Sequence, residues 1–422
     1  MKNKNRSFLF LGILVVCTVF LIFKFQNNNK IPQQEHLKKI DDLGVSIHRR
    51  DVTENDIKNI ADAGFKWVRI GVYWELIEKE EGKYNFEKAG YDRINEWIKK
   101  YNLKPYYVLD YSNPLYEKQK SITTDRGRKA FAKYASATVK HYKNQKGIWE
   151  IWNEPNATAF WIPDSQSSYE NYVKLVKETA PVIRRFDPDS LVVGPALAGV
   201  NQKPLIWLEQ AFNYNLLNYI DAVSVHPYRD TDPETVVADY QKIRSMIKNH
   251  TNRPIQLFSG EWGYSMAPKP NKKISEMKQA EYFTRMMLIN KSQNINLSIW
   301  YDWKNDGYDK SEMEHNFGVV WRSGTPKLTY LASQTLTNHL KGYNFMKRYN
   351  LKNKDDYLLE FSNEDEKRAI VYWTKDSHHY STVPLESGSG KAVSMLGAER
   401  QIEWKKGADF SFSTSPTYVF ID

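Results

Sequence analysis

From residue 43 to residue 340, short apolar runs alternate with amphipathic stretches. Leu43–His48, Trp67–Trp74, Lys104–Ser112, Gly147–Trp152, Leu191–Leu197, Ala222–Tyr228, Ile255–Glu261 and Leu297–Trp303 are rich in β-branched and aromatic residues. Each reads as a buried strand. Between them, apolar residues recur at helical spacing. Thr53 caps a helix through Ala63 with Ile57 and Ile60 on one face and Gly64 as its stop. Tyr91, Ile94, Trp97 and Ile98 form the stripe of the next helix, and Asp125–Tyr142, Ser168–Phe186, Ile206–Tyr214, Pro233–Asn249, Ser275–Lys291 and Leu328–Leu340 follow. Eight strand-then-helix units predict an α/β fold, a (β/α)8 TIM barrel over 43–341. The rival is a doubly wound open sheet, which usually carries a Gly-rich loop after its first strand. Arg49–Thr53 contains no glycine.

After Lys341 the helical spacing stops. Asn344–Tyr349, Tyr357–Phe361, Arg368–Thr374, Ala392–Leu396 and Thr417–Ile421 are strand-like, with turn signals at Asn363–Asp365 and Ser387–Gly390. A small antiparallel, β-sandwich-like domain is expected over 342–422. The absence of a linker predicts that it packs rigidly on the barrel.

The N-terminus has its own pattern. Met1–Arg6 is basic and Phe8–Phe23 is an unbroken apolar run, near the short limit for a helical span. No small-x-small cleavage site follows, and Val16 is too large for the position before a lipobox cysteine. Residues 1–25 are therefore expected to be an uncleaved signal anchor with its basic end in the cytoplasm. Residues 26–42 form a polar tether, and the catalytic part lies outside the cytoplasmic membrane. The alternative is cleavage, giving a secreted or periplasmic protein. The only cysteine is Cys17, so the exported part uses no disulfide.

Composition narrows the partners. The chain is 422 residues long, 26% charged, with 13 Trp and 27 Tyr. Flat aromatic faces stack on sugar rings. The net charge of +10 includes Lys2, Lys4, Arg6 and Lys24 around the N-terminal run. No Lys/Arg cluster is interleaved with aromatics, so no nucleic acid partner is expected. No His/Asp/Glu cluster has metal-ligand spacing, so no metal or cofactor is expected. A monomer is the expected state.

The candidate chemistry sits at two strand ends. The fourth strand runs into Asn153-Glu154-Pro155-Asn156, and Pro155 cannot continue a central strand. Glu154 thus lies where parallel α/β barrels place catalytic side chains. Glu261, in Ser259–Ser265, ends the seventh strand, on the opposite side of the mouth. Paired carboxylates flanking a bond are what glycosidic cleavage needs, one protonated and one ionised.

Trp149–Asn156 together with Glu261 resembles clan A of the glycoside hydrolases, most closely family 39 with its bacterial biofilm-matrix endoglycosidases. Asp110–Tyr116 and Ser259–Ser265 resemble that subgroup, and the resemblance covers Leu43–Leu340. It implies that Glu154 is the acid/base and Glu261 the nucleophile. It further implies that Asn153 holds the sugar 2-hydroxyl, that Arg69 and Tyr228 hydrogen-bond the nucleophile, and that Trp300 is the stacking platform under the sugar. Arg69 would lower the pKa of Glu261. His226 joins the site through the His226-Pro227-Tyr228 motif.

Glu150 shares the strand parity of Glu154 and is expected to pair with a buried Arg. His48, at the end of the first strand, touches substrate or is a core histidine. Asp110 and Asp302 end strands three and eight and are candidates to bind hydroxyls. Trp262, with Tyr73, Trp74, Tyr116, Phe160, Trp161 and Trp303, puts aromatics near the strand ends, which suggests a groove with several subsites.

The expected function is a retaining glycoside hydrolase acting internally on an extracytoplasmic polysaccharide. Two alternatives stand beside it: an exo-acting, β-xylosidase-like glycosidase, and a non-catalytic carbohydrate-binding protein tied to polysaccharide synthesis. Retention requires carboxyl groups about 5 Å apart, inversion roughly 6.5–9.5 Å.

Overall fold

In the computed structural model, which describes residues 42–162, 168–270 and 273–422, eight parallel strands close on themselves. They are β1 (Asp42–Ser46), β2 (Trp67–Tyr73), β3 (Lys104–Asp110), β4 (Ile148–Ile151), β5 (Leu191–Ala198), β6 (Ala222–His226), β7 (Gln256–Trp262) and β8 (Leu297–Trp300). Each pairs with its sequence neighbours, and β8 pairs with β1 to complete the ring. Each strand is followed by a helix: α1 (Glu54–Asp62), α2 (Tyr91–Lys100), α3 (Asp125–Tyr142), α4 (Ser168–Phe186), α5 (Gln202–Asn213), α6 (Val236–His250), α7 (Glu276–Ser292) and α8 (Leu328–His339). The anticipated TIM barrel is the fold. A short helix (Trp74–Ile77) and a two-stranded ribbon (Glu78–Glu80, Lys83–Tyr84) are inserted after β2. The apolar run of residues 1–25 and the tether lie outside the described residues. Among the described residues no helix is long and apolar enough to cross a membrane.

Local chemistry sets the helix starts. Thr53 Oγ1 accepts the Asp56 N–H at 3.2 Å, and Asp56 Oδ2 accepts the Thr53 N–H at 2.9 Å, a reciprocal cap. Thr124 and Ser275 cap α3 and α7 in the same way with one bond each. Two strand pairs of the barrel shift register, β5 with β6 between Gly194 and Leu197, and β7 with β8 between Ser298 and Trp300. Such irregularities re-aim side chains at a barrel rim, and both lie beside the residues that matter below.

The C-terminal part has eight strands: β9 (Asn344–Arg348), β10 (Asp356–Ser362), β11 (Arg368–Thr374), β12 (His379–Thr382), β13 (Gly388–Ser394), β14 (Glu399–Trp404), β15 (Asp409–Phe412) and β16 (Thr417–Ile421). Six form an antiparallel sheet in the order β9-β10-β11-β16-β13-β14, and β12 pairs with β15 as a separate ribbon. Side chains alternate across the large sheet. Tyr357, Leu359, Phe361, Ala369, Val371, Trp373 and Tyr418 join the barrel's core, whereas Leu358, Ile370, Tyr372 and Val419 face a second core with Phe410 and Phe412 of the ribbon. The sequence pattern misses β12, β14 and β15. β12 and β14 are mostly polar and largely unburied, and β15, with only Phe410 and Phe412 turned inward, is too short to show a pattern.

Helix α7 shows how the sheet meets the barrel. Every residue from Gln279 to Asn290 is buried, because β8 and its neighbours cover one side and the C-terminal sheet approaches the other. Its buried polar residues therefore need partners inside the protein. It carries a buried cation, Arg285, whose Nε and Nη2 each donate to Glu234 at 2.7 Å. The Trp373 indole of β11 donates to the same carboxylate at 2.7 Å. Thr414 and Ser415 donate to Glu281 of α7 at 2.8 and 2.7 Å.

Removing one partner of a buried pair strands the other charge. Glu234→Ala is therefore expected to destabilise the protein by about 3–5 kcal/mol. Thr414→Ala, which deletes one of the two hydroxyl donors to Glu281 and leaves Ser415 and Lys278 beside it, is expected to cost about 1 kcal/mol. Chemical denaturation of the two variants checks the ranking, and equal losses would show that the buried triad is not special.

Candidate active site

Arg69 of β2 points into the barrel, 5% exposed. A guanidinium there needs several acceptors, and it has them. Nε and Nη2 donate to Glu150 Oε2 at 3.0 and 2.7 Å, Nη1 donates to Glu261 Oε2 at 2.5 Å, and Nη2 also donates to Asn153 Oδ1 at 2.8 Å. Tyr106 of β3 donates to the other oxygen of Glu150 at 2.7 Å. Glu150 is fully buried and pairs with Arg69, as its strand parity implied.

Glu261 is held on both oxygens, with Tyr228 donating to Oε1 at 2.9 Å. Burial would push its carboxyl up, but His226, Arg69 and the Tyr228 hydroxyl outweigh that and hold it below the ordinary glutamate value. The group is poised as a carboxylate.

Glu154 stands just beyond β4 in an unusual backbone. Trp152 and Glu154 have φ of 71° and 51°, in the left-handed region that non-glycine residues rarely occupy. The turn is fixed by its surroundings: Trp152 N–H donates to Leu109 O at 3.2 Å and Glu154 N–H to Ala196 O at 3.1 Å. The fully buried Trp152 donates its indole N–H to Phe160 O at 3.1 Å. The result presents the Glu154 carboxylate to His226, whose Nδ1 lies 2.7 Å from Glu154 Oε1 and 3.9 Å from Glu261 Oε1. One oxygen of each glutamate and an imidazole nitrogen all lie within 4.8 Å of one another.

The two carboxylates open onto a cavity of about 490 Å³, lined also by Tyr228, Phe160, Tyr301, Glu314 and Phe317. Three of the expected contacts are corrected here. Trp300 is fully buried, its ring edge-on to Phe283 and its indole N–H donated to Phe317 O at 3.2 Å, so it is core and not a platform. The next residue, Tyr301, lines the cavity instead. Its hydroxyl donates to Glu314 Oε2 at 2.8 Å and sits 3.3 Å from His48 Nε2. Strand β8 ends at Trp300, so the residue that turns out into the cavity is the one after it, not the tryptophan that the resemblance implied.

Trp262 is also fully buried, packed on Tyr264 with Arg229 over its face, and supports the rim from behind. Asp110 is 3% exposed and does not line the cavity. It lies against the backbone of Asn153, and burial pushes its carboxyl well up. Of the other aromatics expected at the strand ends, Trp74, Trp161 and Trp303 are core. Among those expected aromatics, only Phe160 lines the cavity.

His48 is one-third exposed at the rim, with Nε2 3.6 Å from both Asp302 Oδ2 and Asp306 Oδ1. These three residues, like Glu154, His226 and Glu261, bring one donor atom each within 4.8 Å, close enough to share a cation. Glu314, Tyr301 and Asp306 were not anticipated from sequence. Asp306 and Glu314 lie in the long connection after β8, which has no apolar period to fix their direction, and Tyr301 was counted inside the eighth strand, which in fact ends one residue before it.

The family model for cellulase, glycosyl hydrolase family 5, matches residues 33–307, more than half of the chain. The chain belongs to that family. A β-xylosidase of Geobacillus stearothermophilus is 22% identical over 316 residues, 64% of this chain and 61% of that protein's length. Endoglucanase C of Acetivibrio thermocellus is 33% identical over 147 residues, 32% of this chain and 40% of that protein. A family 39 glycoside hydrolase from Bacteroides cellulosilyticus WH2 shares the fold with a TM-score of 0.78 and 21% identity, covering 93% of this chain and 83% of that one. The clan expected from the strand-end motifs thus holds. The matching family model is family 5, while the likeness to family 39 is one of fold.

Tyr228→Phe removes a hydrogen bond that only the ionised Glu261 accepts well. The folded pKa of Glu261 then rises, so the acid limb of kcat/KM moves up by about one pH unit. A pH profile on an aryl glycoside checks this, and an unmoved limb would remove Tyr228 from control of the Glu261 carboxylate.

Proposed function

We propose that the protein is a retaining glycoside hydrolase that cleaves polysaccharide internally, outside the cytoplasmic membrane. The observation that carries the reading is the carboxylate pair: Glu154 and Glu261 bring oxygens within 4.8 Å, on the retaining side of the two geometries. Retention is also general for clan A. The extracytoplasmic location is supported by the basic and then apolar start of the sequence.

Glu261, kept ionised by Arg69 and Tyr228, attacks the anomeric carbon. Glu154 gives its proton to the leaving oxygen, and the glycosidic C–O bond breaks as a glycosyl ester forms on Glu261. Glu154, now a carboxylate, takes a proton from water. The resulting oxygen attacks the same carbon and frees Glu261. Asn153, oriented by Arg69, is placed to hold the sugar 2-hydroxyl beside the reacting carbon. A protein that only binds sugar needs no such pair. An exo-acting reading is favoured by one observation, the β-xylosidase name of the Geobacillus relative. Product sizing separates the two, since internal cleavage yields oligosaccharides before monosaccharide.

Glu154→Gln and Glu261→Gln are each expected to lower kcat by about 10³-fold or more with the fold intact. NMR of the first-formed anomer is expected to show retention, and a mechanism-based fluoroglycoside is expected to label Glu261. First release of the inverted anomer, or near wild-type turnover in either variant, would overturn the reading.

A further inference from the structure

The segment from Glu154 to Phe160 walls two depressions. It folds on itself, with Ala157 N–H donating to Glu154 O and Phe160 N–H donating to Ala157 O, both at 3.0 Å. Glu154 and Phe160 face the catalytic cavity, whereas Asn156, Ala157 and Thr158 line an open groove of about 680 Å³. The groove's far wall is the start of α4 and the first turns of α5, including Tyr169, Trp207, Ile206 and Lys203.

Its floor is rigid. The Asn156 amide donates to Ala198 O at 3.0 Å and accepts the Ala198 N–H at 2.9 Å, tying the segment to the end of β5. Trp207 is fixed along one edge. Its indole N–H donates to Ser168 Oγ at 2.8 Å and its ring tilts against Tyr172, while the rest stays only partly buried. Beside it, Ile206 is 57% exposed. The groove therefore offers an anchored aromatic, an apolar neighbour and polar side chains (Asn201, Lys203, Gln210) around one open channel. Pyranose rings ask for that mixture, with apolar C–H faces that stack and hydroxyls that hydrogen-bond.

Direction decides the occupant. An acid/base residue protonates the leaving oxygen, so the departing part of the chain lies on its side of the bond. The groove begins two residues past Glu154. We infer that it holds the departing, reducing-end portion of a β-linked polysaccharide, with Trp207 as its stacking platform. This rests on Glu154 being the acid/base. It supplies the internal-cleavage reading with a site that the buried strand-end tryptophans do not provide.

The test uses the full chain carrying Glu261→Gln and measures calorimetric affinity for xylobiose, xylohexaose, cellobiose and cellohexaose. For at least one sugar series, the hexaose is expected to bind at least tenfold tighter than the biose. Adding Trp207→Ala is expected to bring that ratio to within about twofold of one. Ile206→Asp, on the exposed side of the same wall, is expected to lower the ratio without disturbing packing. Hexaoses that bind no tighter than bioses, absent binding included, overturn the inference, as does a ratio unchanged in both groove variants. Turnover of 4-nitrophenyl glycosides by the wild type and its loss in Glu154→Gln test the catalytic assignment separately.

Discussion

The buried guanidinium of Arg69 is the constraint on which the site depends. A charge inside a barrel is tolerated only where it is paired and fully hydrogen-bonded. Glu150, closed off on its second oxygen by Tyr106, supplies the structural partner. One guanidinium then faces two carboxylates, and the surplus negative charge falls on Glu261, the member that reaches the cavity. Neutralising Arg69 with Glu150 alone would satisfy the fold. Extending its fork to Glu261 and Asn153 as well makes a structural ion pair into an aiming device. The bidentate geometry matters here, since a lysine could not hold these acceptors in fixed directions.

A second constraint works on the backbone. Left-handed φ at Trp152 and Glu154 costs of order 1–3 kcal/mol each and persists only where the surroundings over-determine it. The buried Trp152 indole, the Leu109 and Ala196 carbonyls and the edge-on contact of Trp152 with Trp161 do so here. The same turn that lifts Glu154 toward His226 sends the following residues, Asn156 to Thr158, outward to form the groove wall. Catalytic direction and groove placement are thus two outcomes of one local distortion.

This also explains what was legible in the sequence. Strand parity located Glu150 because it lies inside a regular strand, where side chains alternate, and Arg69, also inside a strand, followed from the family resemblance. Glu154 and Glu261 were legible from the breaks that end their strands. The resemblance misplaced Trp300 and the strand-end reading misplaced Trp262, both of which lie at or beside the shifted register of β7 and β8. A shift of one residue turns a platform into core and brings Tyr301 into the cavity. Ribbon strands β12 and β15 escaped because each is only four residues long: β12 buries none of its residues fully, and the Phe410–Phe412 alternation of β15 is too short to stand out. Trp207 escaped for the opposite reason: on an amphipathic helix, an aromatic at the edge of the apolar face is indistinguishable from core until its neighbours are placed.

The C-terminal sheet acts on the same site through α7 and the loop before α6. Glu234, which binds Arg285 and Trp373, lies six residues beyond Tyr228, and Arg285 also meets Asp232 at 3.2 Å. Arg229 is tied to Asp239 and lies over Trp262, which directly follows Glu261. The connection from β6 to α6, which carries Tyr228, is therefore pinned from outside the barrel by the sheet and from above by the rim of β7. Preorganisation of a nucleophile requires that its donors not wander, and donors on loops wander unless a second layer fixes them. In this chain the sheet is part of that second layer. Its many apolar residues facing the barrel hold in place a loop whose one hydroxyl, on Tyr228, holds the charge on Glu261.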